Sequence, residues 1–290
     1  MDPQPPLAQL RSMISGYQLS QAIYVAVALG IPDQLAAGAR TATQLAGAAE
    51  ADSRTVYRLM RALAAAGIFG EGEGQTFTLS PLGELLRSDH PASFSGWAAN
   101  IGRPYFWGAW GHLLDGVKTG QNPFSAIHGE DVWSWRLKQP LENELFNSAM
   151  TALSRTSNAA VVAAFDFARF QRIVDIGGGH GALLAAVLQA APRATGVLFD
   201  QPHVVEGAPL LLAEAAISDR CEVVAGSMFE SVPSGAHAYM MKSILHDWDD
   251  ARCIEILKIC RAAMTNRAAF SSSSSWSVNQ TTASWRSSPT

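Results

Sequence analysis

A chain of 290 residues, 48% hydrophobic and 16% charged, has apolar material for two cored domains. A formal net charge of −4 argues against the basic footprint of a nucleic-acid binder, and no apolar run reaches the ~18 residues that a membrane span needs. The opening Met1-Asp2-Pro3-Gln4-Pro5-Pro6 is not the basic-then-apolar start of a secretory signal. Cys221, Cys253 and Cys260 lack a CxxC spacing, so neither a disulfide framework nor a zinc site is indicated and a reducing, cytoplasmic setting is expected.

In chain order, residues 7–37 read as helical, with Leu10, Ile14, Tyr17, Ala22, Val25 and Leu29 in an i, i+3/i+4 rhythm broken at Gly30-Ile31-Pro32. A short helix starts near Thr41 with Thr41 or Thr43 as its cap. A second, capped by Asp52 or Ser53, carries Val56, Leu59, Met60 and Leu63 on one face and ends at Gly67. Ile68-Phe69, a Gly/Glu turn at 70–74 and Phe77-Thr78-Leu79 make a hairpin.

Helix, turn, helix and hairpin form a winged-helix pattern, which either reads DNA or mediates protein contacts. Arg54, Arg58 and Arg61 share one helix, but residues 1–160 hold 11 Lys/Arg against 13 Asp/Glu and no basic wing follows. Protein interaction is the expectation. Residues 94–165 are helical and aromatic-rich (Phe94, Trp97, Tyr105, Phe106, Trp107, Trp110, Trp133, Trp135, Phe146), which suits a core or the lining of a pocket for a flat ligand.

Beyond Phe165 strands alternate with helices, the pattern of an α/β sheet. Arg172 to Ile176 is a short apolar strand that runs into Gly177-Gly178-Gly179-His180-Gly181 and then a helix over Ala182 to Ala190. Such a turn lets a ligand approach backbone N–H groups at a helix start. The next strand, Thr195 to Phe199, ends in Asp200, placed to accept hydrogen bonds from a ribose diol. Gly177-x-Gly179-x-x-Ala182 also satisfies a relaxed dinucleotide fingerprint, so an NAD-type dehydrogenase stays open on this turn alone. Asp175, inside the strand before the turn, suits an amino acid's ammonium group better than a pyrophosphate.

From Leu7 to Ala263 the chain resembles the winged-helix-containing O-methyltransferases that modify plant phenolics, hydroxyindoles and bacterial polyketides. The motifs are Val174-Asp175-Ile176-Gly177-Gly178-Gly179-His180-Gly181, Phe199-Asp200-Gln201-Pro202, Ala225-Gly226-Ser227-Met228-Phe229 and Met241-Lys242-Ser243-Ile244-Leu245-His246-Asp247-Trp248. The resemblance implies S-adenosyl-L-methionine as methyl donor, with Asp175, Gly177, Gly178 and Gly179 around its amino-acid part and Asp200 on its ribose. Met228 and Ser227 would meet the adenine (many relatives carry Asp at the serine), Lys242 would also touch the donor, and His246 would be the general base. It further implies a homodimer through the N-terminal helices. The acceptor would be a hydroxyl of an aromatic or polyketide-like small molecule, in a pocket between the helical and α/β domains with Trp107 and Met150 as lining. His128, His180 and His237 are incidental in this scheme. Proton transfer from an ordinary phenol to an ordinary imidazole is uphill by about 5 kcal/mol, so the site must stabilise the phenolate, and the donor's positive charge helps.

After Met264 the resemblance implies a further strand and a buried glutamate that orients His246. The chain instead reads Ala268-Ala269-Phe270-Ser271-Ser272-Ser273-Ser274-Ser275-Trp276, polar and of low complexity, and no strand is expected there. Back-translated with GC-rich codons from Phe270 and read two bases on, the tail becomes Leu-Val-Val-Val-Glu-Leu-Val-Gly-Gln-Pro-Asp-Asp, which is the missing strand and glutamate; a frameshift is the leading explanation. Without that strand Ala238 to Ser243 would be an exposed sheet edge, and catalysis would be impaired.

The expected class is therefore α/β: a Rossmann-like methyltransferase sheet lacking its C-terminal strands, preceded by a mainly helical winged-helix dimerisation domain. The expected divisions are 1–95 for that domain, 96–165 for a helical linker and pocket region, 166–265 for the donor-binding α/β domain and 266–290 for a disordered tail. The readings from other classes are a cofactor-binding winged-helix regulator without catalysis and the dehydrogenase.

Overall fold

The computed structural model describes residues 5–264 and 269–273, and its contacts divide the chain into two compact units, Met1–Leu153 and Ser154–Thr290. The first unit begins with helices α1 (Pro6–Ala28) and α2 (Ile31–Leu35), separated by Gly30 in the left-handed region at φ 65°. Strand β1 (Arg40–Thr41) leads into α3 (Ala42–Ala48), where Thr41 and Gln44 close a reciprocal capping box. Helix α4 (Ser53–Ala65) is capped by Asp52, whose side chain accepts from the Thr55 N–H. Strands β2 (Phe69–Gly72) and β3 (Thr76–Leu79) form the antiparallel wing, and β1 pairs with β3 to give the order β1-β3-β2. The winged-helix expectation is met.

Its core gathers Ile31, Leu45, Met60, Leu63 and Phe77, all fully buried. These are the inward positions of the helical and alternating periods, which explains why the pattern was readable. Arg61, one of the three arginines on α4, lies 3.5 Å from Glu71 of the wing.

The chain continues through short helices α5 (Pro81–Glu84), α6 (Ser95–Ile101), α7 (Pro104–Gly111), α8 (Leu113–Thr119), α9 (Pro123–His128) and α10 (Val132–Leu137), and then the long α11 (Pro140–Ala164), within which the first unit ends at Leu153. Many of the aromatic side chains here stack on one another: Tyr105 on Trp135 at 4.8 Å, Phe124 on His128 at 4.3 Å. Arg136 is buried among them, its guanidinium 3.6 Å from the Phe146 ring centre. His128 is thus a packing residue.

In the second unit, β4 (Arg172–Ile176), α12 (Ala182–Ala190), β5 (Thr195–Asp200), α13 (Pro202–Val205), α14 (Ala208–Glu214), β6 (Cys221–Ala225), β7 (Ala238–Lys242), α15 (Asp250–Ala263) and β8 (Ala269–Ser273) follow in order. The described strands form a parallel sheet in the order β6-β5-β4-β7-β8. One face packs Ile173, Leu184, Leu188 and Leu198 with α12; the other packs Val174, Ile176, Tyr239 and Ile256 with α15. Both faces are covered, as a parallel sheet requires.

One expectation is corrected. Residues 269–273, read as a strandless tail, pair in register with β7 from Ala238↔Ala269 to Lys242↔Ser273, so β7 is not a bare edge. A ladder is made by backbone N–H and C=O groups, and the unpaired edge of an apolar strand can recruit a serine-rich segment that hydropathy would leave out. The rest of the tail assigned as disordered, 274–290, lies outside the described residues.

Candidate active site

The C-terminal ends of β4, β5, β6 and β7 bring the expected donor-binding residues to one end of the sheet, the end where open α/β sheets hold ligands. β4 turns at Gly177, in the left-handed region at φ 67°, and the Gly177 N–H donates to the Phe199 carbonyl at 2.8 Å. A Cβ on Gly177 would strike the Ile244 side chain; one on Gly178 would lie 2.8 Å from the Asp175 carboxylate. Only glycine therefore allows this turn to sit against both the loop after β7 and the carboxylate beneath it.

Asp200 organises the other side of the turn. Its Oδ2 accepts from the Gly179 N–H at 2.8 Å and its Oδ1 from the Gln201 N–H at 2.7 Å. Burial raises its pKa from the ordinary value, and those two bonds oppose the rise. Each carboxylate oxygen retains a lone pair for a hydroxyl. The Asp200 carbonyl also accepts from the Gly226 N–H at 2.9 Å, which fixes the chain leading to Ser227 and Met228. Ser227 Oγ accepts from the Phe229 N–H at 3.3 Å, and Met228 packs against the core of Val174, Phe199 and Tyr239.

Asp175 is 1% exposed, and its Oδ2 has no hydrogen-bond partner among the described residues. Burial, then the nearby charge of Asp200, pushes its pKa up to about 7, while Lys242 and a backbone bond from Leu184 oppose this. Lys242 ends β7; burial lowers its pKa and Asp175 holds it up. Sequence reasoning missed a third member of this group. Asn158, on α11 and 5% exposed, accepts from Lys242 Nζ at 3.4 Å and donates to the Ala182 carbonyl at 2.9 Å. Its only signal was an amide in an otherwise apolar helical stretch, Ala159-Ala160-Val161-Val162 following it.

Beyond Lys242 the chain turns sharply. Ser243 has φ 58°, a conformation a non-glycine residue holds only when its surroundings impose it. The short turn Leu245–Asp247 then presents His246, whose Nε2 lies 3.4 Å from Asp247 Oδ1. The Cys253 thiol of α15 donates to the Leu245 carbonyl at 3.1 Å and braces this turn from outside. Phe229 meets Trp248 edge-on at 4.7 Å, joining the loops after β6 and β7. His180 packs against Gly207, and burial lowers its pKa.

The two acceptor-site candidates lie in the first unit. Trp107 lines a cavity of about 160 Å³ with Tyr17, Ile101, Phe106 and Trp110, and its indole Nε1 has no hydrogen-bond partner among the described residues. Met150, partly buried on α11, is not among the residues around that cavity.

Comparison with known proteins gives the family. The O-methyltransferase domain family matches residues 110–269, and the O-methyltransferase dimerisation domain matches residues 12–89. The phenazine O-methyltransferase PhzM of Lysobacter antibioticus is 40% identical over 255 residues, which cover 88% of this chain and 74% of that protein. The mitomycin biosynthesis 6-O-methyltransferase of Streptomyces lavendulae is 40% identical over 88% of this chain and 73% of its own length. A crystal structure of the O-methyltransferase NcsB1 from neocarzinostatin biosynthesis, with S-adenosylmethionine and 2-hydroxy-5-methyl naphthoic acid, superposes at a TM-score of 0.76. It is 32% identical, covering 88% of this chain and 78% of that one.

The chain belongs to the S-adenosylmethionine-dependent O-methyltransferase family. Its own residues fit that donor: a buried carboxylate oxygen, Asp175 Oδ2, without a partner among the described residues for a cationic amine, open lone pairs on Asp200 for a diol, and a glycine turn with no Cβ in the way. The dehydrogenase and the regulator without catalysis are not supported. Among the described residues no helix is long and apolar enough to cross a membrane.

Proposed function

We propose that this member of the family methylates a hydroxyl of a fused-ring aromatic or polyketide-like small molecule, with His246 as general base. The observation that carries the reading is the convergence of Asp200, Lys242 and the His246 turn at one end of a single sheet, next to a glycine turn that Ile244 packs against. When bound, S-adenosylmethionine supplies an already activated methyl group, so the protein has to align an oxygen and remove its proton. Asp200 and Ser227 orient the ribose and adenine, Met228 packs on the adenine, and Asp175, Gly177, Gly178, Gly179 and Lys242 surround the amino-acid end. His246 accepts the acceptor's proton on its imidazole, with Asp247 beside it.

The substrate class is supported by a relative that is a phenazine O-methyltransferase, by one from mitomycin biosynthesis and by the naphthoic acid in the NcsB1 structure. Trp107 and Met150 are proposed to line the acceptor pocket; the aromatic cavity around Trp107 suits a flat ring. We further infer a homodimer through α1, which exposes Leu7, Leu10, Met13, Ile14 and Tyr17 within or next to the matched dimerisation segment. With three free thiols, the cytoplasm is its proposed setting.

Calorimetric titration with S-adenosylhomocysteine tests the donor site. Asp200→Ala is expected to weaken binding by on the order of 100-fold, since two charge-assisted hydrogen bonds are lost. His246→Ala should leave that affinity unchanged while lowering turnover on hydroxylated polycyclic acceptors by roughly 10²–10⁴. A folded wild-type protein that binds no S-adenosylhomocysteine, or a His246→Ala variant with full turnover, would overturn the reading.

A further inference from the structure

Asn158 belongs to no motif of the site, yet it makes contacts to two of its parts. It lies on α11, 5% exposed, with both ends of its amide engaged. The orientation of the amide follows from its partners' chemistry. A lysine ammonium can only donate and a backbone carbonyl can only accept, so the oxygen faces Lys242 and the nitrogen faces Ala182. Ala182 is the first residue of α12, the helix whose start lies beneath the glycine turn. Lys242 is the last residue of β7, and its charge acts on Asp175.

We propose that Asn158 is a positioning residue of the methyl-donor site, holding the Lys242 ammonium and the first turn of α12 in fixed relation. The assignment rests on the methyl-donor reading of this site. Asn suits this place because no other side chain of its size offers a neutral acceptor and a donor on opposite sides. Aspartate would satisfy Lys242 but oppose the Ala182 carbonyl; leucine would fill the space and satisfy neither. Partly buried Lys242 without its acceptor would have Asp175 as the remaining charged group acting on it, and its Nζ would be drawn onto the carboxylate proposed to receive the donor's ammonium group.

The test is a double-mutant cycle read as S-adenosylhomocysteine affinity by calorimetry on the 290-residue protein, with thermal melts to confirm folding. Asn158→Leu is expected to weaken binding about tenfold, as befits a hydrogen bond to a charged group. In a Lys242→Met background the same change is expected to have no further effect, because its route to the ligand is gone. Asn158→Asp, which keeps the acceptor for Lys242, should bind within about threefold of wild type; Asn158→Ala, which removes that acceptor, stands in for the leucine variant in the cycle should that one not fold. Wild-type binding that Asn158→Leu leaves unchanged, or losses that add in the double variant, would overturn this assignment alone. No binding by a folded wild-type protein would overturn the donor-site reading and this assignment with it.

Discussion

Residues 172–200 supply most of the proposed donor half of the site from one stretch of chain, to which Ser227, Met228 and Lys242 are added, whereas the proposed acceptor half around His246 is assembled from distant pieces. In the first, β4, the glycine turn, α12 and β5 are consecutive, and the turn is tied to its own next strand through Phe199 and Asp200. In the second, His246 follows a left-handed Ser243, leans on Gly177 through Ile244 and is braced by Cys253 from α15. The strand beneath it, β7, is flanked by β4 on one side and β8 on the other. A local unit of this kind tolerates change elsewhere in the chain. An assembled one passes on every perturbation of its neighbours, because catalytic geometry is sensitive to displacements of ~1 Å.

The largest test of that contrast concerns β8. Its register ends with Ser273 beside Lys242, and in the shifted reading frame the glutamate comes next in sequence. A chain continued from position 270 as Leu-Val-Val-Val-Glu-Leu is expected to turn over faster by on the order of 10⁴, the effect of an orienting carboxylate in comparable triads. Its affinity for S-adenosylhomocysteine should change far less than its turnover, since Lys242, beside Ser273, is the one proposed donor-site residue on the strand that β8 pairs with. Equal turnover in steady-state assays of both chains would remove the frameshift explanation, as would independent DNA that encodes the serine-rich tail in an unbroken frame.

A smaller effect is expected within the donor half. Burial, with the charge of Asp200, pushes the Asp175 carboxyl up to about 7 in the folded protein, from an ordinary value near 3.8. Between those values the folded protein keeps a proton that the unfolded chain has released, so stability of the ligand-free protein should fall as pH rises from about 4 to about 7. Asp175→Asn stays neutral and is expected to flatten that slope in urea unfolding curves measured across the window. An unaltered slope would mean that other groups carry it; Asp200, also raised by burial, would be the first to examine.

The smallest expected change lies outside the site. Thr41→Ala removes the side chain that accepts the Gln44 N–H at 3.2 Å and should cost about 1 kcal/mol in chemical denaturation. Donor affinity should not respond. A loss of binding in that variant would contradict the self-contained character of residues 172–200.

How much of this was legible in the sequence depends on how local each feature is. The bounds of β4 and α12 were read to the residue, because a strand, a glycine run and a helix leave consecutive signals. The winged helix was equally plain, since Thr41 and Asp52 sit at cap positions and Val56, Met60 and Leu63 keep the helical period. The buried Arg136 and the covered state of β7 were not legible, for both depend on partners far along the chain.

By itself, then, the sequence determined the class of the sheet, the donor motif with Asp175 and Asp200, and the candidacy of His246, all carried by short-range patterns of residue type. Only the tertiary structure decided that Asn158 meets Lys242 across 84 positions, that Ser243 takes a left-handed turn, and that a serine-rich segment completes a ladder. The physical reason is the same in each case. Hydrogen-bond partners and imposed backbone angles are set by what the fold brings alongside, and hydropathy patterns carry no record of it.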